Sequence, residues 1–287
     1  TAFRFVSYLG NVFSGVQCPA IILGVQKGYH GETKGCRIGL NNKEFIINEN
    51  RDVDATSFSF NMCDEEYDCL QVISSVQNAK YLANNAKFAL GIVTGNNKEY
   101  IANEKADVME VILKGSDIFR YAMKEIDNYI QFAPEKFQQV APTEMYRAEE
   151  KLLYRFIAEV PVFTYDNQQT LSLNSCNILI PQIAGMNIKY VLAVLNSSVA
   201  AYFINKKYNS VKLLRSHIES LPIPMVSAEK QNDIVRKVDH IMNSTENISG
   251  LYEDLDSDIM ALYGLTAKQT DIIRTSLSGK ALFLKDC

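Results

Sequence analysis

The chain contains no tryptophan and only three histidines, His30, His217 and His240, widely separated from one another. Its six cysteines, at 18, 36, 63, 69, 176 and 287, include no C-x-x-C pair. Zinc ribbons and fingers need closely spaced ligands, so this scatter argues against a zinc site. Cysteines placed this way fit a reducing cytoplasm better than a disulfide scaffold, and a cytoplasmic location is the expectation. No apolar run is long enough to span a bilayer, so no membrane partner is expected. The N-terminus lacks a basic segment, an apolar core and a cleavage site in that order, so no signal peptide is read. The chain opens on Thr1 and goes straight into Phe3-Arg4-Phe5-Val6, which reads as a piece of something larger.

Catalytic signatures are missing as well. There is no G-x-S-x-G, no H-E-x-x-H and no paired Asp-x-[Asp/Asn] metal loop. The Asp-Pro-Pro-Tyr or Asn-Pro-Pro-Tyr tetrapeptide, with which amino-methyltransferases hold a flipped base, is absent, and so is a glycine-rich strand–turn for a methyl donor. No PD-x(n)-[Asp/Glu]-x-Lys nuclease pattern stands out. No catalytic residue, metal ligand or cofactor is therefore expected within this chain.

The chain does have a core. Of its 287 residues, 47% are hydrophobic, enough for one large domain or two ordinary ones. The net charge is −4, whereas a non-specific DNA coat would be basic. The average hides an asymmetry. Between Asn187 and Ile218 stand five basic residues (Lys189, Lys206, Lys207, Lys212 and Arg215) and no acid, whereas the stretch after Ile241 is acidic. A local positive face can bind phosphates on a mildly acidic chain.

Residues 1–60 read as short strands, at 3–12, 20–25, 36–40 and 44–47, separated by turns such as Lys27-Gly28 and Asn41-Asn42. A linker helix capped by Asp64 follows within 61–85. Residues 86–226 read as strands at 86–93, 110–113, 129–132, 154–158, 162–165 and 175–180, with a short helix over 144–151. From Ile188 an apolar stripe of helical period begins. Leu221-Pro222-Ile223-Pro224 is extended, and Ser227 caps the next helix. The tail, 227–287, carries a heptad seam: Ile234, Val238, Ile241, Thr245, Ile248, Tyr252, Leu255, Ile259 and Leu262. One continuous helix of this kind would be roughly 50 Å long. Asn247 to Gly250 weakens its middle, so two antiparallel helices are the rival. Gly264 fits a C-terminal cap, and Thr266 with Gln269 forms a capping box. The fold class expected is α+β, an irregular mixed-sheet domain between an N-terminal β remnant and a helical tail.

The segment FALGIVTGNNKEYI, residues 88–101, fails as a phosphate loop, because Gly91 and Gly95 are wrongly spaced, no lysine follows Gly95 and another short strand is expected to follow. A hairpin with a positive-φ turn at Gly95-Asn96-Asn97 is the simpler expectation. Such an exposed turn can still meet DNA phosphates or base edges. In Leu113-Lys-Gly-Ser-Asp-Ile-Phe-Arg-Tyr121, Arg120 either faces solvent or reaches a phosphate or guanine. Arg147, Lys151 and Arg155, four residues apart, would share a helix face, with Glu149 and Glu150 beside them making it a solvated, salt-bridged one.

The order of these motifs resembles the TaqI-like target-recognition domain of type IIG restriction–modification enzymes and N6-adenine methyltransferases. Residues 88–101 resemble its entry hairpin and Leu113 to Tyr121 its L-x-G-x-D-I-x-R-Y element. Val162-Phe-Thr-Tyr-Asp166 resembles the strand that follows. Asn187-Ile-Lys-Tyr-Val-Leu-Ala-Val-Leu-Asn-Ser-Ser198 resembles its K-Y-L-L-A-I-L-N-S helix, and Leu221-Pro-Ile-Pro224 with Gln231 its exit. Leu262-Tyr-Gly-Leu265 is typical of the family's tail. Residues 1–50, with Val12-Phe-Ser-Gly-Val16 and Ile21-Ile-Leu-Gly-Val25, resemble the last strands of a methyltransferase domain.

The resemblance implies a double-stranded DNA partner and a recognition role without catalysis. The parent enzyme would use S-adenosylmethionine and Mg, with a methyltransferase domain, and a nuclease domain where there is one, outside this chain. The expected DNA-binding residues are Thr94, Asn96, Asn97, Lys98, Lys114, Arg120, Tyr121, Lys212 and Arg215. Lys98, Arg120 and Arg215 are expected on one side, near the Thr94–Asn97 turn. The alternative is a module like a type I specificity subunit, docking partners or self-associating through the helical tail.

Overall fold

The computed structural model describes all residues except 16–18, 29–30, 41–42, 52–59, 126, 246–247 and 286–287. The Asn41-Asn42 turn, Val16, Cys18, His30, Asn247 and Cys287 thus lie outside the described residues.

The N-terminal strands form one small sheet. Strand β1 (Ala2–Gly10) pairs antiparallel with β2 (Ala20–Gln26) and parallel with β3 (Arg37–Leu40), and β4 (Lys43–Ile46) closes the order β2-β1-β3-β4. Phe3, Val6 and Ile38 bury one face in a core shared with Cys36, Ile47 and Phe60. The other face and edge strand β2 leave Phe5, Leu9, Ile21, Ile22, Leu23, Val25 and Ile46 exposed. The Phe5 ring lies over Gly24, where a Cβ would come within 2.2 Å of it.

Helix α1 (Asp64–Ser74) starts one residue earlier than expected. Cys63 is its N-cap, and Glu66 accepts the Cys63 N–H. The Asp64 carboxylate is taken instead by Asn48 and by Arg51, the latter at 2.8 Å. After α1, β5 (Ala79–Lys80) prepares the entry into the middle of the chain.

Two four-stranded sheets make up that middle. In the first, β6 (Ala86–Ala89), β12 (Lys151–Arg155), β13 (Phe163–Asp166) and β15 (Cys176–Pro181) are ordered β13-β12-β15-β6, all antiparallel. In the second, β7 (Ile101–Ala102), β8 (Glu110–Leu113), β11 (Tyr129–Ile130) and β14 (Leu171–Ser172) are ordered β14-β8-β11-β7. Alternation along β12 and β15 explains the stacking. Leu152, Tyr154 and Leu179 face a helical core, whereas Leu153, Cys176 and Ile178 face a core shared with the second sheet. The first sheet is therefore covered on both sides, and Lys-Leu-Leu-Tyr reads as a continuous buried run. A hairpin of β9 (Ile118–Phe119) and β10 (Ala122–Met123) packs beside it.

The expected helix over 144–151 shrinks to α3 (Thr143–Tyr146), because Lys151 already belongs to β12. Arg147, Lys151 and Arg155 consequently share no helix face. Lys151 is fully buried and pairs with Asp166 at 2.5 Å while donating to the Tyr146 carbonyl. Burial lowers its pKa, against the pull of Asp166.

The stripe from Ile188 is two helices, α4 (Ile188–Leu195) and α5 (Ser198–Tyr208), bent by 57°. The break has a local cause. The Asn196 amide turns inward to bond the Phe163 backbone twice, at 2.9 Å each, and Ser197 caps α5. Among the described residues no single helix is long and apolar enough to cross a membrane.

Short α6 (Arg215–Glu219) leads to β16 (Ile223–Pro224), which pairs with β5. The seam is two helices, α7 (Ala228–Asn243) and α8 (Ile248–Leu262). Lys230 meets Asp258 at 3.8 Å, and Lys237 meets Asp254 and Asp258 at 2.6 Å each, as antiparallel helices require. Ile234, Val238, Ile241, Tyr252, Leu255 and Ile259 are buried in the same core as Leu152 and Tyr190. Thr245 is exposed in the connection. Ser227 and Thr266 cap α7 and α9 (Ala267–Leu277) as expected.

Candidate nucleic-acid interface

Gly95 takes the positive φ of +82° that its turn requires. The turn does not close a hairpin, however, because β6 pairs with β15 and β7 with β11. It leads into α2 (Asn97–Tyr100), one helical turn. Thr94 is buried and donates to the Asn97 Oδ1 at 2.6 Å. The Asn96 amide donates to Glu99 at 3.2 Å. Asn96, Asn97 and Lys98 are exposed.

The neighbour of this turn was not evident from the sequence. Val93 and Gln139 exchange backbone hydrogen bonds of 2.9 and 3.0 Å, and a Cβ on Gly95 would lie 3.4 Å from the Gln138 Cβ. Gln139 in turn lines a 550 Å³ cleft with Lys87, Phe88, Glu144 and Arg215. The Arg215 guanidinium lies 5.1 Å from the Phe88 ring centroid and bonds Glu219 at 2.8 Å, with its side chain 58% exposed. Gln138 and Gln139 thus lie between the Asn96–Lys98 turn and the cleft that Arg215 lines. His217, on α6, is stacked on Tyr208 at 4.0 Å. Burial holds its pKa below the ordinary histidine value, partly offset by a backbone hydrogen bond at Lys212.

A second patch adjoins the first through residues 210–215. Gly115 packs so closely on the Ser175 carbonyl that a Cβ would sit 2.4 Å from it. Beside it a 380 Å³ cleft is lined by Ser116, Arg155, Ile157, Asn174 and Ser175. Ile157 forms an antiparallel bridge with Lys212, which is exposed. Lys114 is half-buried and its ammonium donates to Asn128. Arg155 donates twice to the Ile118 carbonyl, at 2.9 and 2.6 Å, which fixes its guanidinium beside the cleft.

Arg120 and Tyr121 do not join either patch. Arg120 is 1% exposed; its Nε donates to the Pro161 carbonyl at 3.0 Å and its Nη1 to the Tyr252 hydroxyl at 2.6 Å. Tyr252 donates onward to the Asn196 carbonyl at 3.1 Å. Tyr121 is buried at φ +66°, in the turn of the β9–β10 hairpin, and burial raises its pKa. The expectation that Arg120 reaches outward beside Lys98 and Arg215 is corrected: the hairpin turns it inward, onto α8. Nothing in the local sequence separates an inward from an outward arginine, because its partner Tyr252 is remote in sequence. No short-range signal marks Gln138, Gln139, Lys87, Asn174 and Ser175, because non-local pairing alone brings them to the site.

The class these elements define is an α+β fold built on a two-faced antiparallel sheet. The match is particular: residues 110–223 match the TaqI-like C-terminal specificity domain family. No curated protein matches the chain. Among solved structures, the type IIL restriction–modification enzyme MmeI in complex with DNA aligns with TM-score 0.56 and 10% identity, over 96% of this chain and 45% of that one. At that identity the likeness is one of fold, and the present chain spans less than half of its neighbour. The HsdS subunit from Thermoanaerobacter tengcongensis aligns at TM-score 0.40, with 14% identity over 70% of this chain and 51% of that one. The type IIG restriction endonuclease BpuSI aligns at 0.39, with 10% identity over 69% and 33%.

Proposed function

We propose that this chain is the sequence-recognising part of a restriction–modification enzyme, binding duplex DNA and positioning a target adenine for methylation, or a site for cleavage, by domains outside the chain. The observation that carries this reading is the specificity-domain match over 110–223, the segment that supplies Lys114, Arg155, Lys212 and Arg215 to two adjoining polar patches. Lys98, Lys212 and Arg215 serve as phosphate contacts, which fix register without reading sequence. Asn96 and Asn97 serve as base readers, because an amide can pair bidentately with adenine. Thr94 and Lys114 act by holding these groups through Asn97 and Asn128.

In this proposal the chain itself is not catalytic. S-adenosylmethionine and Mg belong to the remainder of a cytoplasmic, type IIG-like parent, and the N-terminal sheet continues into its methyltransferase domain. The uncharged run Ala20-Ile-Ile-Leu-Gly-Val25 supports that continuation, since such a run is typical of a strand covered on both faces and here it stands exposed on an edge. Docking of partners through the heptad seam is disfavoured, because the seam's apolar residues fill the chain's own core.

Selection from a random duplex library tests the function. Enrichment of a defined motif is the expected result. Recovery of unenriched sequence, or of no DNA at low salt, would overturn it.

A further inference from the structure

We infer that Ile157 reads a thymine methyl group in the major groove, an inference that rests on the DNA-recognition reading above. Ile157 is 62% exposed, one of the most exposed large apolar side chains among the described residues. It does not lie in a free loop. The Leu213 N–H donates to the Phe156 carbonyl at 2.8 Å and the Ala158 N–H donates to the Val211 carbonyl at 3.0 Å. Two segments far apart in sequence are thereby zipped into a short antiparallel ribbon, and a two-stranded ribbon is one of the shapes the major groove admits.

Directly opposed residues of an antiparallel pair share a face. Ile157 opposes Lys212, and Leu214, 42% exposed, follows two residues along the same strand. Their neighbours Phe156 and Leu213 are partly to fully buried, so the ribbon has an inner and an outer side. Its outer side combines a branched aliphatic group with a cation. Ile157 also lines the mouth of the 380 Å³ cleft, together with Ser116, Arg155, Asn174 and Ser175. The strand carrying Lys212 lies in the stretch between Asn187 and Ile218 that has no acid, and on the other strand the exposed Glu159 stands two residues after Ile157.

Lys212 suits a phosphate and Asn174 a base edge, but Ile157 has no polar atom to offer. The one apolar group that DNA presents in the major groove is the thymine C5-methyl. A second protein as the occupant is less well matched, because Lys212 opposite Ile157 and Arg155 in the same cleft outnumber the single acid Glu159 and complement a polyanion.

The experiment uses this chain and the motif selected from the random duplex library, copied once with thymine and once with uracil. Burying one methyl group is worth about fourfold in binding. The uracil copy should bind about fourfold more weakly. Ile157→Ser should lose about the same factor on the thymine copy and bind the two copies equally. Val108→Ser, at an exposed apolar residue elsewhere (66% exposed), should keep the full thymine preference. Equal binding of both copies by the parent chain, a motif without a fixed thymine, or a preference that survives Ile157→Ser would each overturn the inference while leaving DNA recognition standing. Failure to enrich any duplex would overturn both. Because Ile157 is exposed, the variant is expected to fold, and its melting curve checks this.

Discussion

Replacing Tyr252 by Phe removes a single oxygen, yet it should be among the more damaging conservative changes in the chain. The Tyr252 hydroxyl is the acceptor for the buried Arg120 Nη1 at 2.6 Å, and among the described residues Arg120 Nη2 has no hydrogen-bond partner to share the loss. A hydrogen bond to a buried charge is worth about 1.5–3 kcal/mol, and the full desolvation cost returns when one partner is removed alone. Tyr252→Phe should therefore lower stability by about 2–3 kcal/mol. Arg120→Met removes the charge and leaves the hydroxyl its bond to the Asn196 carbonyl, but it strands the Pro161 carbonyl and takes a nearby cation from the buried Asp256 carboxyl. Its cost should be about 1–2 kcal/mol. In the double variant no guanidinium is left without its hydroxyl partner, so its loss should fall short of the sum of the two single losses. The assay is urea denaturation of the four proteins, with the midpoints and slopes compared. Strict additivity would refute this account, since contacting residues in one network should couple by about 0.5–3 kcal/mol. It would mean that Arg120 and Tyr252 do not share a buried bond and that the hairpin at 118–123 can turn its arginine outward.

Four further outcomes follow from the same structure. Ile241→Asp should cost roughly 3 kcal/mol or more, because Ile241 is 3% exposed and a lone buried carboxylate is that expensive; an unchanged melting curve would put the seam in solvent. Lowering the pH from 7 to 5 should destabilise the chain through His217, whose depressed pKa gives stability present above the unfolded value near 6.5 and lost as pH falls through the folded value; His217→Phe, which keeps the stack on Tyr208, should lack that loss in a pH series of melts. Lys98→Ala and Arg215→Ala should weaken binding to all duplexes and reduce the salt slope by about 0.9 for each phosphate no longer neutralised, whereas Asn96→Ala or Asn97→Ala should cost about 1–3 kcal/mol mainly on the selected site, as measured by titration over a salt series. Calorimetry with S-adenosylmethionine should give no binding to this chain, and micromolar affinity would contradict the division of labour proposed here.

Local patterns carried much of the fold into the sequence. Ser227 and Thr266 announced their helices because a side-chain oxygen three residues before a free N–H is a short-range device. The seam was visible as a period, but whether it ran straight or folded back depended on a break after Asn243 and on what else it could bury. Its closure onto the core that holds Tyr190 and Leu152 settled that. The helix expected over 144–151 failed because Leu152 to Tyr154 sit between two apolar layers, and a run buried on both sides carries no period. At the site, exposed turn residues such as Asn96, Asn97 and Lys98 were legible from composition. Arg120 was misjudged for the opposite reason: its environment is built by Pro161, Tyr252 and Phe283, which only folding assembles.

The central claim is that DNA is held on the joined patches running from the Thr94–Lys98 turn through Gln138, Gln139 and Arg215 to Lys212 and Ile157. Photo-crosslinking of the selected duplex to this chain, with the adducts mapped by mass spectrometry, tests it directly. The account predicts adducts within residues 87–98, 114–116, 138–139, 155–157 and 210–215. Adducts concentrated on α7, α8 and α9, with none in those segments, would contradict it.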